Sequence, residues 1–376
     1  MKELSLYIHI PFCVRKCNYC DFLSAPATKT VQEQYLHALL REIKERSVAF
    51  SDRIVSTVFI GGGTPSIIPA EQIESIINVV KSSFNIAAEV EISIEINPGT
   101  VKSKGDFDIY KSAGINRISI GLQSANDEEL RTLGRIHTYS DFLQTWEWAR
   151  AAGFDNINID VMAALPDQTI ESYEETLHKV CSLGPEHISA YSLIIEEGTP
   201  FFEQYANLLE NEEYEEKDRA MYALTEKILA GYGYKRYEIS NYARENKACR
   251  HNLVYWKRLD YLGLGIGAAS LINNVRYKNP HEIEEYISEG GAPDYYEVQK
   301  LSVREQMEEF MILGLRLTEG ILKDEFYGLF NCRIESVYGD VLVKNGQDGL
   351  LNIDDKSVRL TSKGLDLSNY VFVQFT

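Results

Sequence analysis

Three cysteines, Cys13, Cys17 and Cys20, stand within eight residues in the run Tyr7-Ile8-His9-Ile10-Pro11-Phe12-Cys13-Val14-Arg15-Lys16-Cys17-Asn18-Tyr19-Cys20-Asp21-Phe22. Thiolates spaced C-x3-C-x2-C can wrap one compact polynuclear centre. A [4Fe–4S] cluster takes four thiolates as a rule, so three leave one iron open to an outside ligand, and that opening is where chemistry becomes possible. Structural zinc is the alternative. It requires four ligands, usually as two pairs separated by a longer loop; no second pair follows here, and His9 is the only histidine close by. The remaining thiols, Cys181, Cys249 and Cys332, are scattered, and core packing is the ordinary use of Cys181 and Cys332. Six cysteines in 376 residues are too few for a disulfide scaffold.

Something must hold that loop, and the surrounding pattern is an α/β one. Short β-branched runs at 4–11, 56–61, 89–95, 117–121, 156–162 and 187–193 alternate with helical patterns at 32–45, 71–82, 107–112, 139–152 and 171–181. Gly114, Gly153 and Gly184 fall just past three of these helices, where a left-handed cap is expected. Repeated strand–helix units predict a parallel sheet with right-handed crossovers. Turn-forming residues follow the strands at 61–66, 97–99, 123–124 and 165–167, the rim at which β/α barrels build their sites. The expected fold is a partial (β/α)6 barrel, open on one side, although a doubly wound sheet would share this periodicity.

After Pro200 the texture changes. An acidic helical stretch covers 210–230, a tyrosine- and glycine-rich segment 231–270, helical runs resume near 301, and 349–373 reads as short strands. The expected division is a core barrel over 1–235, a connecting region over 236–300, and a smaller carboxyl-terminal α+β domain of winged-helix type over 301–376. Gly263-Leu264-Gly265-Ile266-Gly267 lacks the spacing and the βαβ unit of a dinucleotide loop, and reads as a glycine-rich strand or a close approach.

Composition excludes other classes. Hydrophobic residues at 44% exclude a disordered chain. A net charge of −18 repels phosphate backbones, so nucleic acid is not expected as a partner. No stretch of 18 apolar residues appears, and the start Met1-Lys2-Glu3-Leu4 has no signal-peptide run. A cytoplasmic location is the expectation.

The cysteine triplet on a loop directly after the first strand resembles the radical S-adenosylmethionine superfamily. The resemblance implies that the open iron is chelated by the amino and carboxylate groups of S-adenosylmethionine. It also implies that the reduced cluster can release a 5′-deoxyadenosyl radical, which demands a dry enclosure. The segments Gly61-Gly62-Gly63-Thr64-Pro65-Ser66, Ile94-Glu95-Ile96-Asn97-Pro98, Ser119-Ile120-Gly121-Leu122-Gln123-Ser124, Leu133-Gly134-Arg135 and Asn158-Ile159-Asp160 look like the HemN and HemW group, in order over essentially the whole chain. Carried over by position, Cys13, Cys17 and Cys20 ligate the cluster, and Tyr7 and Tyr19 flank the cofactor. Gly62, Gly63 and Thr64 meet its methionine part. Glu95, Gln123 and Asp160 hydrogen-bond amino or ribose hydroxyl groups, and Arg135 pairs with the carboxylate. Any one acid or amide taken alone reads equally well as a strand-end cap.

Within that group the coproporphyrinogen dehydrogenase typically shows C-x3-C-x2-C-x-C, whereas Phe22 holds the fourth place here. It also carries an amino-terminal extension, whereas six residues precede Tyr7. Both features are similar to the HemW type, regarded as a haem chaperone that delivers haem to acceptors such as respiratory haemoproteins, some of them at a membrane. His251-Asn252-Leu253-Val254-Tyr255-Trp256 is the other shared mark. It directs attention to His251, Tyr255 and Trp256 for haem, since imidazole is a common axial ligand and aromatics pack on porphyrin. Cys249 is a competing ligand. Ten of the 23 tyrosines lie between Tyr191 and Tyr261, and Arg244, Lys247, Arg250, Lys257 and Arg258 form a basic island suited to propionates. Without the resemblance, a packed, hydrogen-bonded histidine is the plainer reading. The expected function is haem trafficking with a [4Fe–4S] cluster, S-adenosylmethionine and haem bound; the alternatives are an oxygen-independent coproporphyrinogen III dehydrogenase and a radical methyltransferase.

Overall fold

Alternation along the first six strands decides the architecture. In β1 (Lys2–Ile10), Leu4, Leu6, Ile8 and Ile10 are fully buried on one face while Ser5, Tyr7 and His9 take the other. The same two-residue period runs through β2 (Arg53–Gly62), β3 (Ile86–Ile96), β4 (Arg117–Gln123), β5 (Ile157–Ala163) and β6 (His187–Ser192). Ile92, Ile94, Ile118, Ile120, Ile157 and Ile159 share the outer core. That core is closed by α1 (Lys29–Ser47), α2 (Ala70–Ser83), α3 (Lys104–Ala113), α5 (Tyr139–Ala151) and α6 (Ile170–Leu183), with the short α4 (Asp127–Thr132) between β4 and α5. As expected, Gly114 and Gly184 cap α3 and α6 in the left-handed region. The computed structural model describes residues 1–289 and 295–376.

The six strands are parallel and lie side by side in chain order. A doubly wound sheet reverses its order at a switch point; this one never does, so it is a barrel wall with its helices outside. The wall stays open, because β1 and β6 each pair with a later strand instead of with each other.

Those later strands come from 236–300. Beyond α7 (Pro200–Tyr205) and α8 (Glu212–Gly231), β7 (Lys235–Arg236) and β8 (Asn241–Ala243) extend the β6 edge. After α9 (Arg250–Trp256), β9 (Tyr261–Leu264), β10 (Ala269–Ile272), β11 (Val275–Lys278) and, past α10 (Ile283–Glu289), β12 (Tyr296–Lys300) extend the β1 edge. The region expected to connect two domains therefore builds both flanks of the sheet. The glycine run 263–267 spans the end of β9, where Gly265 lies against Tyr35 and the His9 carbonyl.

From residue 303 the chain forms α11 (Val303–Gly314), β13 (Ile321–Leu322), α12 (Lys323–Phe330), α13 (Ile334–Gln347), β14 (Leu351–Ile353), β15 (Ser357–Leu360), α14 (Ser362–Asp366) and α15 (Ser368–Phe372). The small sheet has the order β13-β15-β14, a winged-helix arrangement over its own core of Met311, Phe326, Ile334, Val358 and Phe375. The expectation of strands over 349–373 holds only to Leu360. There the Thr361 hydroxyl accepts from the Gly364 N–H and caps a helix, and Val371 and Phe372 return to the core from helical backbone.

Candidate functional site

The loop after β1 is sewn to its surroundings by backbone bonds. Cys13 N–H donates to Ala25 O at 3.2 Å, Ala25 N–H to Pro11 O at 2.9 Å, and Asn18 N–H to Leu133 O at 3.0 Å. Arg15 Nη2 donates to Gly134 O at 2.7 Å. His9 Nε2 donates to Leu23 O at 2.8 Å, which leaves Nδ1 to accept the Tyr7 hydroxyl at 3.0 Å. On this framework the three free, half-buried thiols of Cys13, Cys17 and Cys20 line one cavity of about 510 Å³ at the carboxyl ends of the strands.

The floor beside them is made of backbone. Gly62 has φ +115°, and a Cβ there would stand 2.5 Å from the His9 ring. A Cβ on Gly63 would stand 2.7 Å from Phe12 O and 3.1 Å from Cys13 Sγ. Such a side-chain-free cradle admits a bulky group next to the thiols. The Thr64 hydroxyl lies 3.6 Å from Cys13 Sγ and accepts from Asn97 Nδ2 at 2.7 Å. Among the described residues no three His, Cys, Asp or Glu groups close on a point small enough for one metal ion. A cube, whose three thiolate-bound corners are separate irons, does not need them to. Three thiols on one loop beside a side-chain-free cradle fit a [4Fe–4S] cluster with one iron left open.

Buried polar groups complete the cavity. Glu95 accepts from Gly62 N–H at 3.1 Å. Burial, reinforced by the charge of Asp160, pushes its carboxyl up to about 8. Burial also raises Asp160, against the pull of Asn158, whose Nδ2 donates to it at 2.6 Å. Gln123 holds the left-handed region at φ +73°, costly for a residue with a side chain, and its Oε1 accepts the Tyr191 hydroxyl at 2.8 Å. Arg135, expected to face a carboxylate, is already engaged. Its Nη2 donates to Asn97 Oδ1 at 2.7 Å and Gly121 O at 2.6 Å, and Nη1 approaches Cys17 Sγ at 3.8 Å. In this conformation it braces the cysteine loop against β3 and β4.

Of the residues singled out from sequence, Cys13, Cys17, Cys20, Tyr19, Gly62, Gly63, Thr64, Glu95, Gln123, Arg135 and Asp160 line this one cavity. Tyr7 does not; it is set behind His9 and stacks on Phe59. Asn97 and Tyr191 line the cavity without having been singled out. Asn97 sits two residues past Glu95, at the end of the same strand, and Tyr191 keeps the inward phase of β6.

His251, Tyr255 and Trp256 also lie elsewhere. His251 is 1% exposed, with Nδ1 on Thr57 Oγ1 at 2.8 Å, Nε2 on the Tyr255 hydroxyl at 2.9 Å, and its ring stacked on Phe59. Glu91 accepts from the N–H groups of Arg250 and His251 and fixes α9 inside the curve of the sheet. Thr57 precedes the rim residue Gly61 by four positions, about 13 Å along a strand. Both imidazole nitrogens are taken, and burial lowers the ring's pKa to about 3. Cys249 is equally buried, its thiol pushed up to about 12. Trp256 stacks under the Arg316 guanidinium. As the protein stands, this motif is a plug in the barrel and presents no ligand to a porphyrin.

The Radical SAM superfamily model matches residues 7–180, and the HemN C-terminal domain model matches residues 301–367. The chain is 34% identical to the protein named Heme chaperone HemW of Lactococcus lactis, over 100% of this chain and 97% of that one. It is 34% identical to the protein of the same name from Bacillus subtilis, over 99% and 98%. Among solved structures it is similar to coproporphyrinogen III oxidase (HemN) from Escherichia coli, described as a radical SAM enzyme. That match has a TM-score of 0.85 and 26% identity, and covers 100% of this chain and 90% of that one.

Proposed function

The chain belongs to the HemW family of the radical SAM superfamily, and from that premise we propose that it is a haem chaperone that holds a [4Fe–4S] cluster, S-adenosylmethionine and haem and passes haem to acceptor haemoproteins. The observation that carries the cofactor part is the convergence of three free thiols, with no fourth, at the mouth of the one cavity that Glu95, Gln123 and Asp160 also line. When bound, the cluster supplies an electron to the sulfonium of the nucleotide. Cys13, Cys17 and Cys20 would hold it, the Gly62–Gly63 backbone would admit the methionine end, and Glu95, which burial pushes up to about 8, and Asp160, which burial raises, would exchange hydrogen bonds with amino or hydroxyl groups. Arg135 keeps the loop in place beneath them. The haem part is supported by the name that the full-length relatives carry.

The test is anaerobic incubation of the reconstituted protein with haem and S-adenosylmethionine, followed by mixing with an apo-haemoprotein. Uptake with a Soret band and its movement to the acceptor are expected; no uptake overturns the reading. A second reading, oxidative decarboxylation of coproporphyrinogen III, is favoured by the whole-chain match to the oxidase structure, and formation of protoporphyrinogen with 5′-deoxyadenosine would establish it. No helix among the described residues is long and apolar enough to cross a membrane. We place the protein in the cytoplasm, with membrane-associated acceptors reached from that side.

A further inference from the structure

If the protein carries haem and His251 is a plug, another ligand must meet the iron. The chain has seven histidines. His9, His187 and His251 have both ring nitrogens bonded within the fold. His137 is buried, with Nε2 on Leu122 O. His178 pairs with Tyr232 and Glu174 on α6, and His37 stands on the outer face of α1. His281 differs from all of these in its company. It is exposed, as His37 is, and lies two residues before α10 with the Glu297 carboxylate in electrostatic range, but of the two it alone stands beside the cysteine loop.

Its position is fixed by backbone. Gly267 N–H donates to Pro280 O at 2.7 Å. Gly267 has φ +62°, and a Cβ there would stand 2.5 Å from Leu23 Cδ2 and 3.3 Å from His281 Nδ1. The missing side chain thus brings Leu23, of the cysteine loop, and His281, from the far edge of the sheet, to one spot. Leu23 is 36% exposed and its neighbour Phe22 is 68% exposed. Two bared apolar side chains in succession, on a segment held by His9, are a rigid platform and not a frayed end. Lys16 shares the cavity mouth with Phe22.

We propose that haem docks on this platform, with His281 as axial ligand to the iron, the porphyrin against Phe22 and Leu23, and a propionate paired with Lys16. Haem asks for an exposed imidazole, a flat apolar contact and a cation, and these residues offer all three beside the cofactor cavity. The site rests on the haem-carrier reading above.

The experiment is a ferric haem titration of the full, reconstituted chain, read by visible absorbance and by the electron paramagnetic resonance of the ferric iron. Wild type, His281→Ala and the double variant Phe22→Ser with Leu23→Ser are compared; all three positions are exposed or half-exposed, so folding should persist. His281→Ala should bind at least about tenfold more weakly and lose the histidine-ligated signal, with added imidazole restoring it. The double variant should weaken binding while keeping that signal. Wild-type protein that takes up no haem would overturn the carrier reading itself. Wild-type binding with His281→Ala unchanged in affinity and spectrum would overturn this site alone, and unchanged affinity in the double variant would remove the platform.

Discussion

Gly62 leaves no room for a side chain, because a Cβ would collide with His9 and the backbone there has φ +115°. Gly62→Ala should therefore cost about 1–3 kcal/mol in stability, seen as a lower unfolding temperature, and should abolish S-adenosylmethionine binding by calorimetry. Unaltered binding would show that the methionine end does not approach this backbone. Glu95 yields a pH prediction. Its carboxyl is raised to about 8, chiefly by burial, so its contribution to stability is fully present below the unfolded carboxyl range near 4.5 and is lost as pH rises through about 8. Glu95→Gln should flatten denaturation midpoints across that window, and a variant retaining the wild-type slope would contradict the assignment. At this scale the sequence was informative where several motifs had to meet at one rim. It was less so for Arg135, whose fork of donors suits a carboxylate but is occupied by Asn97 and the Gly121 carbonyl, a non-local pairing that no spacing announces. His281 left no trace at all, being a single histidine whose company is set by Gly267 and Leu23.

Among the elements, the cysteine loop and α9 make opposite demands. The loop depends on Arg135 and should loosen in Arg135→Lys, because an ammonium cannot span Asn97 Oδ1, the Gly121 carbonyl and Cys17 together. Lower iron and sulfide content after reconstitution, with unchanged circular dichroism, is the expected outcome; full loading would show that the brace is dispensable. Helix α9 is a plug, so His251→Ala should cost about 2–4 kcal/mol by leaving Thr57 and Tyr255 unpaired around a cavity. Haem affinity of the folded variant should not change, and a haem defect at wild-type stability would return His251 to the iron. The strands carried a further signal that periodicity shows plainly. Their apolar residues alternate with Ser5, Glu91, Arg117, Asn158 and His187, and this second, polar phase is buried inside the wall, where Glu91 holds α9 and His187 bonds to Asn158.

For the whole molecule, six strand–helix units and the open side of the wall were legible, but the strands that flank it were not. The strands from 236–300 pair with β1 and β6, whose sequences lie far away, and edge pairing of that kind leaves no local mark. The carboxyl-terminal unit joins this wall through Glu309, which accepts from Arg258 and Arg276 at 2.9 Å each. Everything proposed for the molecule rests on three thiols holding a cluster with one open iron at the cavity mouth. The direct test is electron paramagnetic resonance of the reduced, reconstituted protein with and without S-adenosylmethionine. A [4Fe–4S] signal that shifts when the nucleotide is added is predicted, whereas a protein holding one metal ion, or a cluster signal that the nucleotide leaves unmoved, would contradict the account.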